Sequence, residues 1–497
     1  MSADLLLAID QGTTSTRAMA FDRRLQPVAS ASVRLPTAHP APGWVQQDAE
    51  TILESVIESV ARVLDEVGGA DRIAAAGLDN QGETVVAWDP ETCRALAPAI
   101  GWQCRRSQPI VERLREAGLG GPIRERTGLP LDPYYSASKL AWLLEHNGDV
   151  RAASAHDRLR FGTVDAWLTA RLDGGDARTD TSTASRTQLL SLRALAWDPD
   201  LLSWFGIPAA TLPRVVATAG DLGQLAHPRW RGSLALRAMA CDQQAALAGH
   251  GGFASGSMKA TYGTGVFVLA NAGMLREATI ELETSIAWTL PGDPTTPAVT
   301  ASVLQGGVLA AGALVDWLRD GLGLIDDVTA TEAMAWSVTD AAGVKVLPAL
   351  AGLGAPWWRP EARAVVAGLT AGAHGAHVVR AALDGIAQRV TDVVEGMTAV
   401  LPEAPVRLLV DGGMTTNSYL MQRQADLLGL PVDVASVEES TALGIAGLAG
   451  LGAGLFEVAA ITAANPTRAR YDPGLDRAER QAQREAWCRF VSAAAAL

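Results

Sequence analysis

The N-terminal segment LLLAIDQGTTSTRAMAFD, residues 5–22, consists of two apolar runs around a short polar segment. The first run ends at Asp10, the residues Gln11 to Thr16 are small or polar, and a second apolar run reaches Phe21. Two apolar runs separated by so few residues predict two β-strands joined by a tight turn. An ordinary β-hairpin with a polar turn explains this segment equally well when it is taken alone.

The same pattern returns in the second half of the chain. Residues Gly256 to Asn271 form a second pair of apolar runs around a glycine-rich turn, and a third such turn, DGG, follows the predicted strand Arg407 to Val410. A recurring unit indicates related domains, and 497 residues exceed what one hydrophobic core usually supports. We therefore predict two α/β domains of related topology, residues 1–248 and 249–497, with a cleft between them.

Apolar residues spaced three and four positions apart predict helices, whereas short apolar runs bounded by polar turns predict strands. Asp48 is the predicted N-cap of the first helix. The segment TDTSTASRTQLL, residues 179–190, is predicted as a hydroxyl-rich loop. The predicted helices are Ala49 to Val67, Ser136 to Leu144, Ala153 to Arg160, Phe161 to Leu172, Leu304 to Leu318, His377 to Val400, Asn417 to Leu428 and Glu439 to Ala449.

Composition narrows the class of protein. Hydrophobic residues make up 48% and charged residues 19% of the chain, and no apolar stretch reaches membrane-spanning length. A net charge of −13 argues against nucleic acid or an anionic membrane as the main partner. Four scattered cysteines without CxxC spacing predict free thiols in a reducing compartment, and the N-terminus lacks the basic region of a signal peptide. We therefore expect a cytoplasmic protein.

The first turn has the residues to bind an anion and a metal ion. Backbone N–H groups and the hydroxyls of such a turn point towards one place where phosphate can lie, and Arg17 adds positive charge. Asp10 ends the preceding strand, and Mg²⁺ prefers carboxylate, water and phosphate oxygens. This chemistry predicts a phosphate-and-metal hairpin.

Three glycine turns, divided between the two halves, indicate an ATP-binding cleft. Glycine lets a nucleotide approach the backbone closely because it has no Cβ. The sequence has no GxxxxGK[ST] segment, and no GxGxxG opens a helix after the first strand. These absences exclude a P-loop enzyme and count against a dinucleotide oxidoreductase. Each turn taken singly is better explained as an ordinary turn.

With these turns placed, the chain resembles the FGGY carbohydrate kinases over nearly its whole length. Both signature regions of that family are recognisable, at residues 134–142 and 364–384. The matching segments are AIDQGTTSTRA, GWVQQD, NQGET, WQCRR, TGLPLDPYYSASKLAWLL, FGTVDAWL, TSTASRTQLL, CDQQAALAG, YGTGVF, AGLGAPWW and VDGGMTTNSYLMQRQADLLG. The resemblance implies two ribonuclease-H-like, actin-type domains that close over ATP and a small polyol.

The resemblance also implies roles for particular residues. Asp242 corresponds to the general base, and Asp10 lies near Mg²⁺ in the family. The positions that match phosphate and nucleotide contacts are Thr13, Thr14, Ser15, Arg17, Thr264, Gly312, Gly413 and Asn417. The positions that match polyol contacts are Glu83, Trp102, Tyr134, Asp242, Gln243 and Phe267. Asp242 could also cap the helix that follows it, and the three aromatic residues could equally be core residues.

One departure bears on the substrate. Members of the family that act on glycerol carry NQRET, whereas this chain has NQGET, with Gly82 in place of an arginine that hydrogen-bonds substrate hydroxyls. Losing such a donor costs roughly 1.5–3 kcal/mol per charged hydrogen bond if nothing replaces it. Our hypothesis from this substitution is a pocket with room for a polyol or ketose longer than glycerol, or one that binds glycerol weakly.

Together these observations predict an ATP- and Mg²⁺-dependent kinase that phosphorylates a terminal hydroxyl of a small polyol, with glycerol as the leading candidate. The alternatives are a kinase for a tetritol, pentitol or ketopentose such as xylulose, an actin-like ATPase without a sugar substrate, and a catalytically silent sensor. We also expect a homodimer or a larger homo-oligomer that does not bind nucleic acid or insert into membranes.

Overall fold

The computed structural model describes residues 3–274, 277, 279, 282–292 and 298–495. Two mixed β-sheets, one in each half of the chain, form its framework. The strands of the first half are β1 Leu5–Gln11, β2 Ser15–Phe21, β3 Pro27–Arg34, β4 Gln46–Gln47, β5 Ile73–Asn80, β6 Val85–Asp89, β7 Arg94–Ala95, β8 Ala99–Ile100, β9 Arg160–Thr163, β10 Arg178–Asp180, β11 Leu190–Ser191, β12 Ala196–Trp197, β13 Arg214–Val216, β14 Gln224–His227 and β15 Gly232–Cys241. Its helices are α1 Ala49–Val67, α2 Gln108–Glu116, α3 Gly120–Thr127, α4 Ser136–His146, α5 Gly148–Ala155, α6 Val164–Leu172, α7 Thr181–Ser185, α8 Pro199–Phe205 and α9 Asp242–Gly249.

The second half contains the other large sheet and seven further α-helices in its described part. Its strands are β16 Met258–Tyr262, β17 Val266–Asn271, β18 Glu283–Leu290, β19 Val299–Val308, β20 Lys345–Leu347, β21 Val365–Ala367, β22 Leu408–Asp411, β23 Val432–Ala435 and β24 Thr467–Tyr471. Its helices are α10 Gly312–Asp320, α11 Ala330–Trp336, α12 Gly375–Thr398, α13 Ser418–Leu428, α14 Ser440–Gly452, α15 Val458–Ala464 and α16 Arg477–Ala494.

The two large sheets share one topology. The first has the strand order β14-β15-β5-β1-β2-β3, and the second has the order β18-β19-β17-β16-β22-β23-β24. In each, an antiparallel hairpin (β1–β2 or β16–β17) lies beside two parallel strands, β5 and β15 or β22 and β23. The predicted recurrence of one α/β unit is therefore confirmed.

The first helix begins and ends where its apolar spacing predicts. Helix α1 spans Ala49–Val67, and the Asp48 carboxylate accepts a hydrogen bond of 2.8 Å from the backbone N–H of Thr51. This bond satisfies one of the N–H groups that a helix N-terminus leaves unpaired. The buried face of α1 packs in one apolar cluster with β1, β5 and α6.

The predicted helix Leu304 to Leu318 is wrong in its first half. Residues up to Val308 belong to β19, and the helix begins only at Gly312. Gly306 and Gly307 pair with β17, and a Cβ on Gly306 would lie 2.7 Å from Cγ1 of Val393. Residues 301–306 of this strand are all buried, so its apolar run has no strand-like alternation.

Three other predicted elements of the first half need correction. The helix predicted over Ala153 to Arg160 ends at Ala155, and the helix predicted from Phe161 begins only at Val164 because Arg160–Thr163 forms β9. The hydroxyl-rich segment contains a helical turn, α7, rather than only a loop. The Asp180 carboxylate caps that turn by accepting from the N–H groups of Ser182 and Thr183.

Helices α9 and α14 pack closely and bring the two halves together. A Cβ on Gly444 would lie 1.8 Å from the backbone oxygen of Ala245, and a Cβ on Gly249 would lie 1.9 Å from that of Ser440. Glycine is required at both positions because any side chain would overlap the opposite backbone. Helix α14 also contacts β1, β5 and β15 of the first sheet, which lead directly to the candidate site. Within the described residues, no helix is both long and apolar enough to span a bilayer.

Candidate functional site

A small polar cavity of about 80 Å³ lies where the ends of several strands and turns meet. It contains every residue that the sequence analysis assigned to polyol binding, together with Thr13 of the first hairpin. Its lining residues are Thr13, Gly82, Glu83, Trp102, Tyr134, Arg186, Cys241, Asp242, Gln243, Phe267 and Gln305. Residues from both halves of the chain therefore form one site.

Asp242 is the first residue of α9, directly after β15. Its Oδ1 accepts a hydrogen bond of 2.6 Å from the N–H of Gln243. Among the described residues, none donates a hydrogen bond to its Oδ2, so this oxygen is available to a ligand in the cavity. The N-cap position itself is Cys241, which corrects the alternative that Asp242 caps this helix. Burial raises the pKa of Asp242 above its ordinary value.

Glu83 occupies a tight turn between β5 and β6. Its φ of +61° is in the left-handed region that non-glycine residues seldom adopt. Its Oε1 accepts a hydrogen bond of 2.6 Å from Nε of Arg186, and Nζ of Lys139 lies 3.3 Å from its backbone oxygen. Strained backbone at a buried, ion-paired carboxylate is typical of a functional site, where the surrounding structure holds the conformation.

Aromatic side chains form one wall of the cavity. The rings of Trp102 and Tyr134 meet edge to face with centroids 5.5 Å apart, and Phe267 comes from β17 of the second sheet. The indole N–H of Trp102 donates to Oγ1 of Thr13 at 2.9 Å, which connects this wall to the first hairpin. Apolar ring faces suit the C–H face of a small polyol, while nearby polar groups bind its hydroxyls.

Gln243 is held by a lysine from the other sheet. Nζ of Lys259, on β16, donates to Oε1 of Gln243 at 2.9 Å. The amide N–H₂ of Gln243 can donate to a ligand in the cavity, and its oxygen keeps a second lone pair that can accept. Lys259 is fully buried, and burial lowers its pKa.

Cys241 takes up part of the space that Gly82 was expected to leave. A Cβ on Gly82 would lie 2.7 Å from Sγ of Cys241, closer than real Cβ contacts come. The thiol therefore occupies the volume beside Gly82 that the hypothesis of a longer substrate requires. This contact counts against a longer substrate, whereas weak binding of glycerol stays a prediction.

The first hairpin brings carboxylates close together. Asp10 on β1 lies in register with Asp79 on the neighbouring parallel strand β5. Burial raises the pKa of Asp10 to about 6, and the negative charge of Asp242 adds to the rise. Asp79 is fully buried, and neither of its carboxylate oxygens accepts a hydrogen bond from a described residue. Buried carboxylates facing one another form a charge arrangement that a cation would offset.

These residues fit a Mg²⁺ ion that takes only some of its ligands from the protein. In the described part of the chain, no group of three or more His, Cys, Asp or Glu side chains forms a metal cage. Mg²⁺ is usually bound by one or two carboxylates together with water and substrate phosphates, so a full cage is not required. Asp10, with Asp242 nearby, supplies such carboxylates.

The remaining residues of the first hairpin have other partners. Arg17 forms an ion pair with Glu439 at the start of α14, in the other half of the chain. The backbone oxygen of Thr14 accepts from Leu35 N–H, and that of Ser15 accepts from Gly12 N–H. The pair with Glu439 uses Nη1 of Arg17, and the other guanidinium N–H groups can still donate to a phosphate.

A second, larger cavity of about 500 Å³ lies beside the β16–β17 turn. All four residues predicted to contact the nucleotide outside the first hairpin line it: Thr264, Gly312, Gly413 and Asn417. A Cβ on Gly312 would lie 2.7 Å from the backbone oxygen of Gly263, whereas a Cβ on Gly413 would meet no atom within 4 Å. The β16–β17 hairpin joins the two cavities, because Thr264 lines this one and Phe267 lines the smaller one.

Three cavity residues were missed by the sequence analysis: Arg186, Cys241 and Gln305. Arg186 and Cys241 lie inside segments that carried the family resemblance, TSTASRTQLL and CDQQAALAG, and Gln305 lies in the strand that was predicted as a helix. The signal for Arg186 was a basic residue in an otherwise uncharged, hydroxyl-rich segment. The four cysteines are free, as predicted.

Comparisons with known proteins agree with this geometry. The FGGY family of carbohydrate kinases matches with its N-terminal domain at residues 5–249 and its C-terminal domain at residues 258–453. Glycerol kinase of Citrifermentans bemidjiense is 44% identical over 490 residues, which cover 98% of each chain. The crystal structure of Plasmodium falciparum glycerol kinase with ADP aligns with a TM-score of 0.93 at 29% identity, covering 99% of this chain and 98% of that one. A ligand-bound xylulose kinase from Lactobacillus acidophilus aligns with a TM-score of 0.86 at 21% identity, covering 98% of each chain, and shows the shared fold.

Proposed function

Because the chain belongs to the FGGY family of carbohydrate kinases, we propose that it transfers the γ-phosphoryl group of ATP to a terminal hydroxyl of glycerol, forming glycerol 3-phosphate and ADP. The observation that carries this proposal is the position of Asp242, whose Oδ2 is left free by the described residues beside the polyol-sized cavity. Relatives that carry the name glycerol kinase, at 40–44% identity over most of the chain, support the same reaction.

Asp242 would act as the general base. Its Oδ1 is held by the N–H of Gln243, which fixes the direction in which Oδ2 faces. Oδ2 would accept the proton of the attacking hydroxyl as the new oxygen–phosphorus bond forms and the bond to the ADP oxygen breaks. Phosphoryl transfer depends mostly on positioning and charge stabilisation, so one well-held carboxylate beside the nucleophile is sufficient on the acceptor side.

The other cavity residues would orient the polyol. Glu83 accepts from substrate hydroxyls, the Gln243 amide donates to them, and Trp102, Tyr134 and Phe267 cover the C–H face. Correct orientation of the hydroxyl speeds the reaction, because reactants that are already aligned lose less translational and rotational entropy on reaching the transition state.

ATP would lie with its nucleoside in the larger cavity and its phosphates towards the first hairpin. Thr264, Gly312, Gly413 and Asn417 line the nucleotide part, and Thr13, Thr14, Ser15 and Arg17 belong to the phosphate part. Asp10 would hold Mg²⁺, with Asp242 nearby. When bound, this ion supplies charge neutralisation at the phosphates.

Two alternatives remain open to test. A xylulose kinase shares the fold, but the lower identity of those relatives and the thiol beside Gly82 favour the shorter polyol. An actin-like ATPase would need phosphate hairpins without a polyol cavity, and the set of polar and aromatic residues around Asp242 favours a kinase.

The test is an ADP-release assay on the purified protein with ATP and Mg²⁺. Glycerol, erythritol, a pentitol and xylulose are supplied separately, with a reaction that lacks any polyol as the control. We expect glycerol to give the highest kcat/KM and the polyol-free reaction to give little ADP. Equal ADP release without polyol would favour the actin-like ATPase, and a preference for xylulose would favour the ketopentose kinase.

We further propose that the two domains span residues 1–248 and 249–497 and that the protein acts in the cytoplasm as a homodimer or larger homo-oligomer. Free thiols at all four cysteines support a reducing compartment. Light scattering coupled to size-exclusion chromatography measures the oligomeric state directly.

A further inference from the structure

Gly82 and Cys241 are held against each other by the register of the first sheet. Cys241 ends β15 and pairs with Asn80, the last residue of the parallel strand β5, two residues before Gly82. The backbone N–H of Cys241 donates to Oγ of Ser182 at 2.9 Å, which fixes the end of this strand. Backbone hydrogen bonds therefore fix the positions of residues 82 and 241 relative to each other.

The thiol takes the place of a side chain at position 82. A Cβ on Gly82 would lie 2.7 Å from Sγ of Cys241, and Cys241 is only 3% exposed. Away from the cavity the thiol has little room to turn aside, because protein interiors are closely packed. A larger residue at position 82 thus has to displace the thiol towards the cavity, unless position 241 carries a smaller residue.

The same thiol forms part of the wall beside the proposed base. Sγ lies 3.5 Å from Oδ1 of Asp242, and Gly82, Cys241 and Asp242 all line the small cavity. The thiol affects the site through its size and position rather than through its reactivity. Burial and the nearby carboxylates of Asp242 and Glu83 raise the pKa of the Cys241 thiol well above its ordinary value, so it stays neutral.

We infer that Gly82 and Cys241 form a coupled pair in which the thiol sets the length of polyol that the cavity accepts, restricting it to a three-carbon substrate. This inference rests on the proposed kinase function and names the residue that determines its specificity. Removing Sγ would open space beside the substrate for one further CHOH group. Adding a Cβ at position 82 would instead push the thiol into the cavity.

The experiment is a double-mutant cycle with the full-length protein. The variants are Cys241→Ala, Gly82→Ala and the combination of both, with Cys488→Ala as the matched control because Cys488 is exposed and does not line the cavity. For each, kcat/KM is measured with glycerol and with the four-carbon polyol erythritol. Calorimetric titration with each polyol in the absence of ATP measures binding separately from turnover, and thermal unfolding shows that each variant is folded.

We expect Cys241→Ala to raise the erythritol-to-glycerol ratio of kcat/KM about tenfold, since one carbon unit in a pocket changes discrimination by at least about that factor. Gly82→Ala should lower kcat/KM for glycerol about tenfold, and the double variant should recover most of this loss. Cys488→Ala should keep the wild-type ratio.

Four results would overturn the inference. An unchanged ratio in Cys241→Ala, or losses in the two single variants that simply add in the double variant, would show that the thiol does not set substrate length. If the wild type binds neither polyol in the calorimeter, both the inference and the proposed function fail. If it phosphorylates erythritol better than glycerol, the three-carbon assignment fails while the kinase function stands.

Discussion

Nε of Arg186 lies 2.6 Å from Oε1 of Glu83, and its Nη1 lies 3.0 Å from Oε2 of Glu283 on β18. Arg186 is 1% exposed and Glu83 is 4% exposed, so this ion pair is almost completely removed from water. One arginine of the first half thus connects a proposed substrate-binding carboxylate with a strand of the second sheet. Its Nη2 has no hydrogen-bond partner among the described residues.

This pair predicts a large effect of Arg186→Met on stability. Removing one partner leaves Glu83 as an uncompensated buried charge, which costs about 3–5 kcal/mol of unfolding free energy. The double variant Glu83→Gln with Arg186→Met should lose less than Arg186→Met alone, because Glu83, the more deeply buried of the two carboxylates that pair with Arg186, then carries no charge. Urea unfolding measures both, with Arg193→Met as a control at an exposed arginine. Equal losses in the single and double variants would contradict the interpretation.

The second cavity predicts a variant that separates nucleotide binding from folding. A Cβ on Gly413 meets no atom within 4 Å, yet Gly413 lines the proposed nucleotide cavity. We expect Gly413→Ala to leave the melting temperature close to that of the wild type while raising the KM for ATP, because its methyl group occupies space that a nucleotide needs. The KM for glycerol should change little. A lowered melting temperature with an unchanged KM for ATP would show that this cavity does not bind the nucleotide.

The close packing of helices α9 and α14 predicts a variant that lowers the stability of the protein. A Cβ on Gly444 would overlap the backbone oxygen of Ala245, which cannot move aside as a side chain can. Gly444→Ala should therefore destabilise the protein by an amount typical of overpacking, about 1–3 kcal/mol or more. The matched control is Gly148→Ala, because a Cβ on Gly148 meets no atom within 4 Å and its φ is not positive. If Gly444→Ala unfolds at the same urea concentration as Gly148→Ala, the helices pack less closely than described.

A buried carboxyl group outside the site predicts a pH dependence of stability. Oδ2 of Asp165 has no hydrogen-bond partner among the described residues, and burial raises its pKa to about 7. A carboxyl pKa that is raised by folding contributes stability below the unfolded pKa, and this contribution is lost as the pH rises through about 7.

We therefore expect the unfolding free energy of the wild type to fall relative to that of Asp165→Asn as the pH rises from 4 to 8. The expected fall is on the order of 4 kcal/mol, since each pKa unit corresponds to about 1.4 kcal/mol. Unfolding free energies measured across this range give the difference, and Asp71→Asn, at an exposed aspartate, is the control. A difference that does not change with pH would mean that Asp165 is ionised in the folded protein throughout.

The sheets and their hairpins could be predicted from the sequence because their apolar runs are short and separated by distinctive turns. Helix α1 was predicted to the residue, since one face is polar and Asp48 supplies a cap. Strand β19 could not be recognised, because its central residues 301–306 are all buried and its apolar run resembles that of a helix. The family resemblance located most residues of the site, including Glu83, Trp102 and Asp242.

What the sequence could not provide is contact between distant segments. The substitution at Gly82 predicted extra space, but the volume depends on Cys241, 159 positions later in the chain, whose strand lies beside it in the sheet. Arg186 likewise reaches Glu83 only because α7 packs near the end of β5, as the bond from Asn80 to Thr183 shows. Neither relationship has a local signal in hydrophobic pattern or spacing.

The most direct test of the central claim is the rate of ATP-dependent glycerol 3-phosphate formation by Asp242→Asn. The substitution keeps the size of the side chain and removes the proton acceptor, so kcat should fall by roughly 100-fold to 10,000-fold, while calorimetric titration should still detect ATP. Asp221→Asn, at an exposed aspartate on the same half of the chain, should turn over at the wild-type rate. Wild-type turnover by Asp242→Asn would contradict the assignment of Asp242 as the base of a polyol kinase.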